Sequence, residues 1–340
     1  MGRTDLITDE EAWSRLQQIS PTRIVTDGDL DGIASAGILL RAFPQAEVIF
    51  ANPAGIRLGI FDEYIDCSTI ICDLPFRPNA GAVIDHHLTN KEFDSTVLDC
   101  WRPTMSAARI AYSIVSTELN LDDLTEFIEW VDRLDGGGIS REEYLSNHPV
   151  VVLGRCIDAR ESSETALWVA KSISKGFNIQ KILAEPCVNA AVLKRRAESK
   201  LIEEIINRSL RIENRLAIVR FDGTGTRTGG YQITALVGND CDACMIIHGE
   251  EKGEISGTIP PLGASFYTNS FLHSKDGLVD LTLLATAFDS DGGGHSNACG
   301  CRIKPLDLEG NIEDRPPTSL DIERNISHWI RIWNENQEIC

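Results

Sequence analysis

The sequence predicts an α/β fold in two parts: a doubly wound, mainly parallel sheet, then a helical linker to a smaller mixed α/β domain. Three observations predict it. Short apolar runs alternate with helix-like stretches as far as residue 135, strand signals become sparse over residues 122–210, and strand-like runs return from Leu216 onward. That alternation is the signature of a parallel sheet covered by helices on both faces.

In chain order, Ile24-Val25, Val48-Ile49-Phe50, Ile70-Ile71-Cys72 and Ala82-Val83-Ile84 suit strands buried on both faces. Residues 32–43 and 106–117 read as helices between them. Leu193, Ala197, Leu201 and Ile205 step by four, so residues 188–210 form a long amphipathic helix, a natural bridge between domains. Strands are expected at residues 216–221, 245–247, 254–259 and 299–303, and a helix at 279–288. A closing helix at 322–333 follows the capping box Thr318 to Asp321. The expected boundaries are residues 1–185 for the first domain, 186–212 for the linker and 213–340 for the second.

The composition is that of a globular chain: 340 residues, 42% hydrophobic and 24% charged. Lys and Arg number 32 against 51 Asp and Glu, a formal charge of -19. Such acidity argues against gripping long nucleic acid by its phosphates, though not against short anionic substrates. The N-terminal residues lack the apolar core of a secretory signal, and no apolar run approaches a membrane span, so a cytoplasmic protein is expected. Most of the ten Cys are then expected to be reduced thiols. Cys241/Cys244 and Cys299/Cys301 have metal-like spacing, but their apolar neighbours make them strand residues in preference to a zinc site.

Three strand runs end in acid. Ile24-Val25-Thr26 leads into Asp27-Gly-Asp29-Leu-Asp31-Gly32, Ile70-Ile71-Cys72 into Asp73, and Ala82-Val83-Ile84 into Asp85-His86-His87. In an open parallel sheet the carboxyl ends of the strands share one edge, so these groups should converge. Converging carboxylates repel unless cations hold them, and oxygen ligands with one or two imidazoles suit Mn²⁺ or Mg²⁺. The rival reading of Asp27 to Gly32 as an EF-hand loop fails at its twelfth position, Ile38, where a bidentate Glu is required. Two divalent ions sharing carboxylates would activate a water near neutral pH and screen a phosphate's charge, which points to phosphate ester hydrolysis. Asp132, near the end of an amphipathic helix, offers the further acid such a pair needs; a helix-end salt bridge is its other reading. In the second domain, Gly292, Gly293 and Gly294 expose backbone N–H groups to an anion, and the adjoining His295 can donate to a phosphate.

These motifs resemble the DHH superfamily of phosphoesterases, which includes RecJ-type exonucleases, nanoRNases, cyclic dinucleotide phosphodiesterases, exopolyphosphatases and family II pyrophosphatases. Asp27 to Gly32 matches the first motif, Cys72-Asp73 the second, Asp85-His86-His87 the third and Asp132 the fourth, while Gly292 to Gly300 matches the GGGH signature of the associated domain. The resemblance implies that Asp27, Asp29, Asp31, Asp73, His86 and Asp132 hold two Mn²⁺ ions, with Mg²⁺ as the alternative. It implies that His87 contacts the scissile phosphate or assists the leaving group, and that Asp85 orients a histidine. Gly292, Gly293, Gly294 and His295 would bind substrate. The family's Arg in a short strand before GGGH is missing from residues 253–259, and Arg227 or the cluster Lys194 to Arg196 is the expected substitute. The implied substrate is a short oligonucleotide or small nucleotide phosphate. Polyphosphate, a cyclic dinucleotide or single-strand exonuclease activity remain alternatives, and a catalytically silent nucleotide-binding relative is the non-enzyme one. No membrane partner is implied, and a homodimer is compatible with this reading.

Overall fold

The computed structural model describes residues 7–87, 90, 96–226, 228–253, 260–273 and 278–337. The chain divides into two compact units, Met1–Ile139 with Ser146–Arg196, and Ser140–Leu145 with Ala197–Cys340. The division falls inside the helix Pro186–Ser209.

In the first unit the apolar runs become β1 (Arg23–Asp27), β2 (Glu47–Ala51), β3 (Thr69–Cys72) and β4 (Ala82–Ile84), and a short β5 (Leu98–Asp99) follows. The order is β2-β1-β3-β4-β5, and every pairing is parallel. The chain leaves β1 toward β2 and returns on its other side as β3, so the topological switch point lies between β1 and β3. The helix Leu30–Ala42 is buried from Leu30 through Leu40, which explains its apolar, small-residue sequence. The helix Ala107–Val115 starts at Ser106, whose side chain accepts the Arg109 N–H.

In the second unit the described strands are β6 (Arg211–Glu213), β7 (Leu216–Arg220), β8 (Ala243–His248), β9 (Gly263–Thr268), β10 (Gly293–His295) and β11 (Ala298–Arg302). They form a mixed sheet in the order β10-β11-β9-β8-β7-β6, with β7 and β8 parallel and the other pairs antiparallel. One face packs Met245, Phe266 and Cys299 against Trp329 and Trp333 of the closing helix Ser319–Gln337.

Two expectations need correction here. The helix expected at residues 279–288 is only Thr282–Ala285, with turns around it. The Thr286 hydroxyl donates to Thr282 O at 2.8 Å, a side-chain bond that offers the backbone an alternative to further helix. The segment around residues 260–271, where no strand is expected from the sequence, contains β9, whose Ala264 and Phe266 are buried while Ser265 and Tyr267 are half-buried. The strand expected at 254–259 lies outside the described residues. No described helix is long and apolar enough to cross a membrane.

Candidate metal centre

The acids gather where the switch point puts them. Asp27 closes β1, and its Oδ1 accepts the Gly28 N–H at 2.5 Å. Two residues on, Asp29 caps the helix Leu30–Ala42 by accepting the Gly32 N–H at 3.0 Å. Gly32 is required there, because a Cβ would stand 2.3 Å from Asp27 O. Asp31 is 2% exposed, and its two oxygens accept the N–H groups of Ala107 and Ala108, each at 2.7 Å, at the start of the helix Ala107–Val115. Asp73 follows β3 at φ +55°, a left-handed conformation that costs an L residue about 1 kcal/mol and suits a tight turn at the strand end.

His86 sits at the centre. Its Nε2 is 3.1 Å from Asp135 Oδ2, 3.5 Å from Asp73 Oδ1 and 3.7 Å from Asp31 Oδ2. None of these approaches has hydrogen-bond alignment, so Nε2 is buried without a partner, as is Asp73 Oδ1. On the other side of the ring, Nδ1 is 3.3 Å from Thr104 O. A proton on Nδ1 serves that carbonyl and leaves Nε2 as the atom that faces the carboxylates, where it carries a proton or would bind a cation in its place. His87 is different: its Nδ1 is 2.9 Å from Asp85 Oδ1, and its ring is half exposed. Asp85, itself 1% exposed, also accepts the His87 N–H at 3.3 Å and the Asn90 side-chain amide at 2.9 Å.

The electrostatics record crowding. Burial raises the Asp27 carboxyl and pushes Asp29 up to about 6. Asp31 and Asp73 are driven well above the usual carboxylate range by burial first and by neighbouring acids second. Burial alone would lower His86, but the carboxylates of Asp135, Asp31 and Asp85 outweigh it and push the imidazole up to about 9. Several buried acids around one imidazole, with two orphaned buried atoms, form a donor set that a divalent cation would satisfy. Among the described residues the groups spaced to hold an ion are Asp73, His86 and His87, and Asp31, His86 and Asp135.

The structure brings Asp27, Asp29, Asp31, Asp73, Asp85, His86 and His87 together at this edge, and Asp132 is turned to other partners. Its carboxylate accepts the Ser106 hydroxyl at 2.6 Å and pairs with Arg109 at 2.6 Å, which is the salt-bridge reading. Asp135, one turn further along the helix Thr125–Asp135, faces His86 in its place. Sequence reasoning also missed Arg160. The backbone beside it binds the first motif, Ala159 N–H to Gly28 O at 2.8 Å, and its charge reaches Asp27 and Asp29. Asp158 grips the guanidinium through both oxygens.

In the second unit the GGGH motif is a hairpin arm and not a turn. Gly293–His295 pairs antiparallel with Ala298–Arg302 across Ser296-Asn297. Gly294, at φ +140°, lies so close to its partner strand that a Cβ would stand 2.6 Å from Ala298 O, whereas a Cβ on Gly293 meets nothing within 4 Å. His295 is exposed. β11 lies between the motif strand and β9 and ends in Arg302; β9 carries no Arg, and its Tyr267 stands opposite Ala298. Arg227 lies outside the described residues. Of the nine basic residues between 194 and 227, Lys194 pairs with Glu161, Arg211 and Arg220 with Glu323, and Arg215 with Asp242. Cys244, Cys299 and Cys301 lie in strands, as the sequence suggests, and Cys241 precedes β8; burial raises all four thiols.

No family model and no curated protein sequence matches this chain. Solved structures do. The pGpG-specific phosphodiesterase PggH from Vibrio cholerae aligns with a TM-score of 0.72 at 23% identity, over 92% of this chain and 99% of that one. The exonuclease RecJ bound to manganese aligns at 0.52 and 10% identity, over 97% and 96%. RecJ in complex with Mn²⁺ from Thermus thermophilus aligns at 0.54 and 12% identity, over 97% of this chain and 56% of that one. At these identities the likeness is one of fold. The chain shares the fold of the phosphodiesterase PggH and the exonuclease RecJ.

Proposed function

We propose that this chain is a metal-dependent phosphoesterase that cleaves short oligonucleotides or small nucleotide phosphates in the cytoplasm, with Mn²⁺ or Mg²⁺ as its metal. The observation that carries this reading is the convergence of Asp31, Asp73 and Asp135 on His86 Nε2, within 3.1–3.7 Å. Asp27, Asp29, Asp31, Asp73, His86 and Asp135 are the residues that would hold the ions. Bound divalent ions would supply Lewis acidity toward a phosphate and a water acidic enough to attack near neutral pH.

The chain's own groups do the rest. With His87 Nδ1 engaged by Asp85, Nε2 is the atom left to carry a proton, and the half-exposed ring can deliver it to a departing oxygen. Asp85 holds that tautomer and orientation. Arg160, largely exposed although gripped by Asp158, is the cation placed to meet a substrate phosphate beside Asp27 and Asp29. In the second unit, the exposed His295 and the open Gly293 edge support a substrate-binding role for the hairpin. The similar fold of a pGpG-specific phosphodiesterase favours substrates as short as a dinucleotide, and a net charge of -19 disfavours long polyanions.

A panel of short RNA, short DNA, pGpG, cyclic dinucleotides, polyphosphate and pyrophosphate, with Mn²⁺ and with Mg²⁺, tests the proposal. Short linear substrates should be consumed fastest, and His87→Ala should lower kcat at least about 100-fold, within the range of a positioned acid or base. Polyphosphate as the best substrate, or full activity in chelator, contradicts it.

A further inference from the structure

Asp132 makes contacts that matter to the centre although it does not face it. Its Oδ1 accepts the Ser106 hydroxyl at 2.6 Å, and its Oδ2 accepts from Arg109 Nε at 2.7 Å and pairs with the other end of that guanidinium at 2.6 Å. Ser106 is wholly buried and caps the helix Ala107–Val115, its Oγ accepting the Arg109 N–H at 3.0 Å. The next two backbone N–H groups, of Ala107 and Ala108, hold both oxygens of Asp31. Upstream, the Thr104 hydroxyl donates to Ser106 O at 2.9 Å, and Thr104 O faces His86 Nδ1 at 3.3 Å. Residues 104–108 thus form one bracket that grips Asp31 from one end and His86 from the other. Asp132 and Arg109 fasten its middle.

The same helix, Thr125–Asp135, carries Asp135, which faces His86 Nε2 at 3.1 Å. Asp135 lies three positions after Asp132, so they stand on one helix face, about a turn apart. We propose that Asp132 is a positioning residue. Through the Ser106 cap it locks the helix start that orients Asp31, and it sets the register in which Asp135 meets His86, so that one helix adjusts three groups of the centre together. The inference rests on the metal-centre reading. Outer partners of metal ligands typically hold 10- to 100-fold in metal affinity or activity, and a carboxylate that fixes both a cap and a neighbouring guanidinium belongs among them.

The test is Mn²⁺ binding, followed by the electron paramagnetic resonance of the free ion, in wild type, Asp132→Ala, Asp132→Asn and Asp135→Ala, beside melting of each metal-free protein. Asp132→Ala should weaken Mn²⁺ binding about 10-fold or more while the number of bound ions at saturation stays at the wild-type value. Asp132→Asn keeps an acceptor for Ser106 and should recover part of the loss. Asp135→Ala should lower the number of bound ions. Should Asp132→Ala fail to fold, Asp132→Asn and Ser106→Ala carry the same expectation. Affinity within about threefold of wild type in the folded variants overturns the positioning role. Loss of a bound ion in Asp132→Ala but not in Asp135→Ala overturns it in favour of direct ligation. Wild-type protein that binds no Mn²⁺ overturns the metal centre itself, a result distinct from either.

Discussion

In the first sheet, Asp27, Asp73 and Asp85 reach one place because β1, β3 and β4 run parallel and end together. In the second, Gly293, Gly294 and His295 take their positions from pairing with Ala298–Arg302. A parallel edge collects its motif residues whatever the length of the loops between strands, so sequence order is enough to foresee convergence. A hairpin gives each residue a face by register, and register is decided by long-range pairing. The two regions also differ in cost. The glycines of the hairpin are there because backbone lies close against them, whereas the acids of the first sheet repel one another and weaken the metal-free fold.

The largest expected effect breaks the hairpin. Gly294→Val forces a Cβ to 2.6 Å from Ala298 O and 2.7 Å from Cys299 Cα at φ +140°, and should destabilise the second unit by about 3 kcal/mol in urea unfolding. Gly293→Ala, with open space around it, should stay within about 0.5 kcal/mol of wild type. Equal effects would mean that the motif is a loose turn after all. The acidic edge should respond in the opposite direction. Asp73→Asn is expected to raise the melting temperature of the metal-free protein by about 3 °C while removing Mn²⁺ binding, since it relieves repulsion among buried carboxylates. A lower melting temperature would show that Asp73 supports the fold instead.

The smallest expected effect is one of pH. Asp29 is raised from 3.8 to about 6 in the folded chain, so the folded state holds a proton that the unfolded state has lost. Its contribution to stability is complete below about pH 4 and disappears as the pH rises through about 6. Mn²⁺ competes with that proton. The melting-temperature increase caused by Mn²⁺ should therefore be greater at pH 7.5 than at pH 5. An increase independent of pH over that range would remove Asp29 from the set of ligands.

Much of the first unit was legible in the sequence because strands buried on both faces announce themselves as apolar runs, and each acid came directly after one. The choice between Asp132 and Asp135 was not legible. Both lie on one face of a single helix, and only the placement of Arg109 and Ser106 shows which carboxylate is already engaged. Arg160 was hidden for a related reason, since it follows Asp27 by more than a hundred residues and meets the first motif only through the bond from Ala159 to Gly28. In the second unit β9 was obscured by the aromatic, polar and small residues on its half-buried side, although Ala264 and Phe266 kept the alternation of a strand.

The most direct measurement is Mn²⁺-dependent hydrolysis of bis-p-nitrophenyl phosphate and pGpG by metal-depleted protein titrated with Mn²⁺, beside Asp73→Ala and His86→Ala. The account predicts activity that rises with Mn²⁺ in the wild type and no turnover in either variant, each still folded by circular dichroism. Undiminished activity without metal, or in both variants, would contradict it.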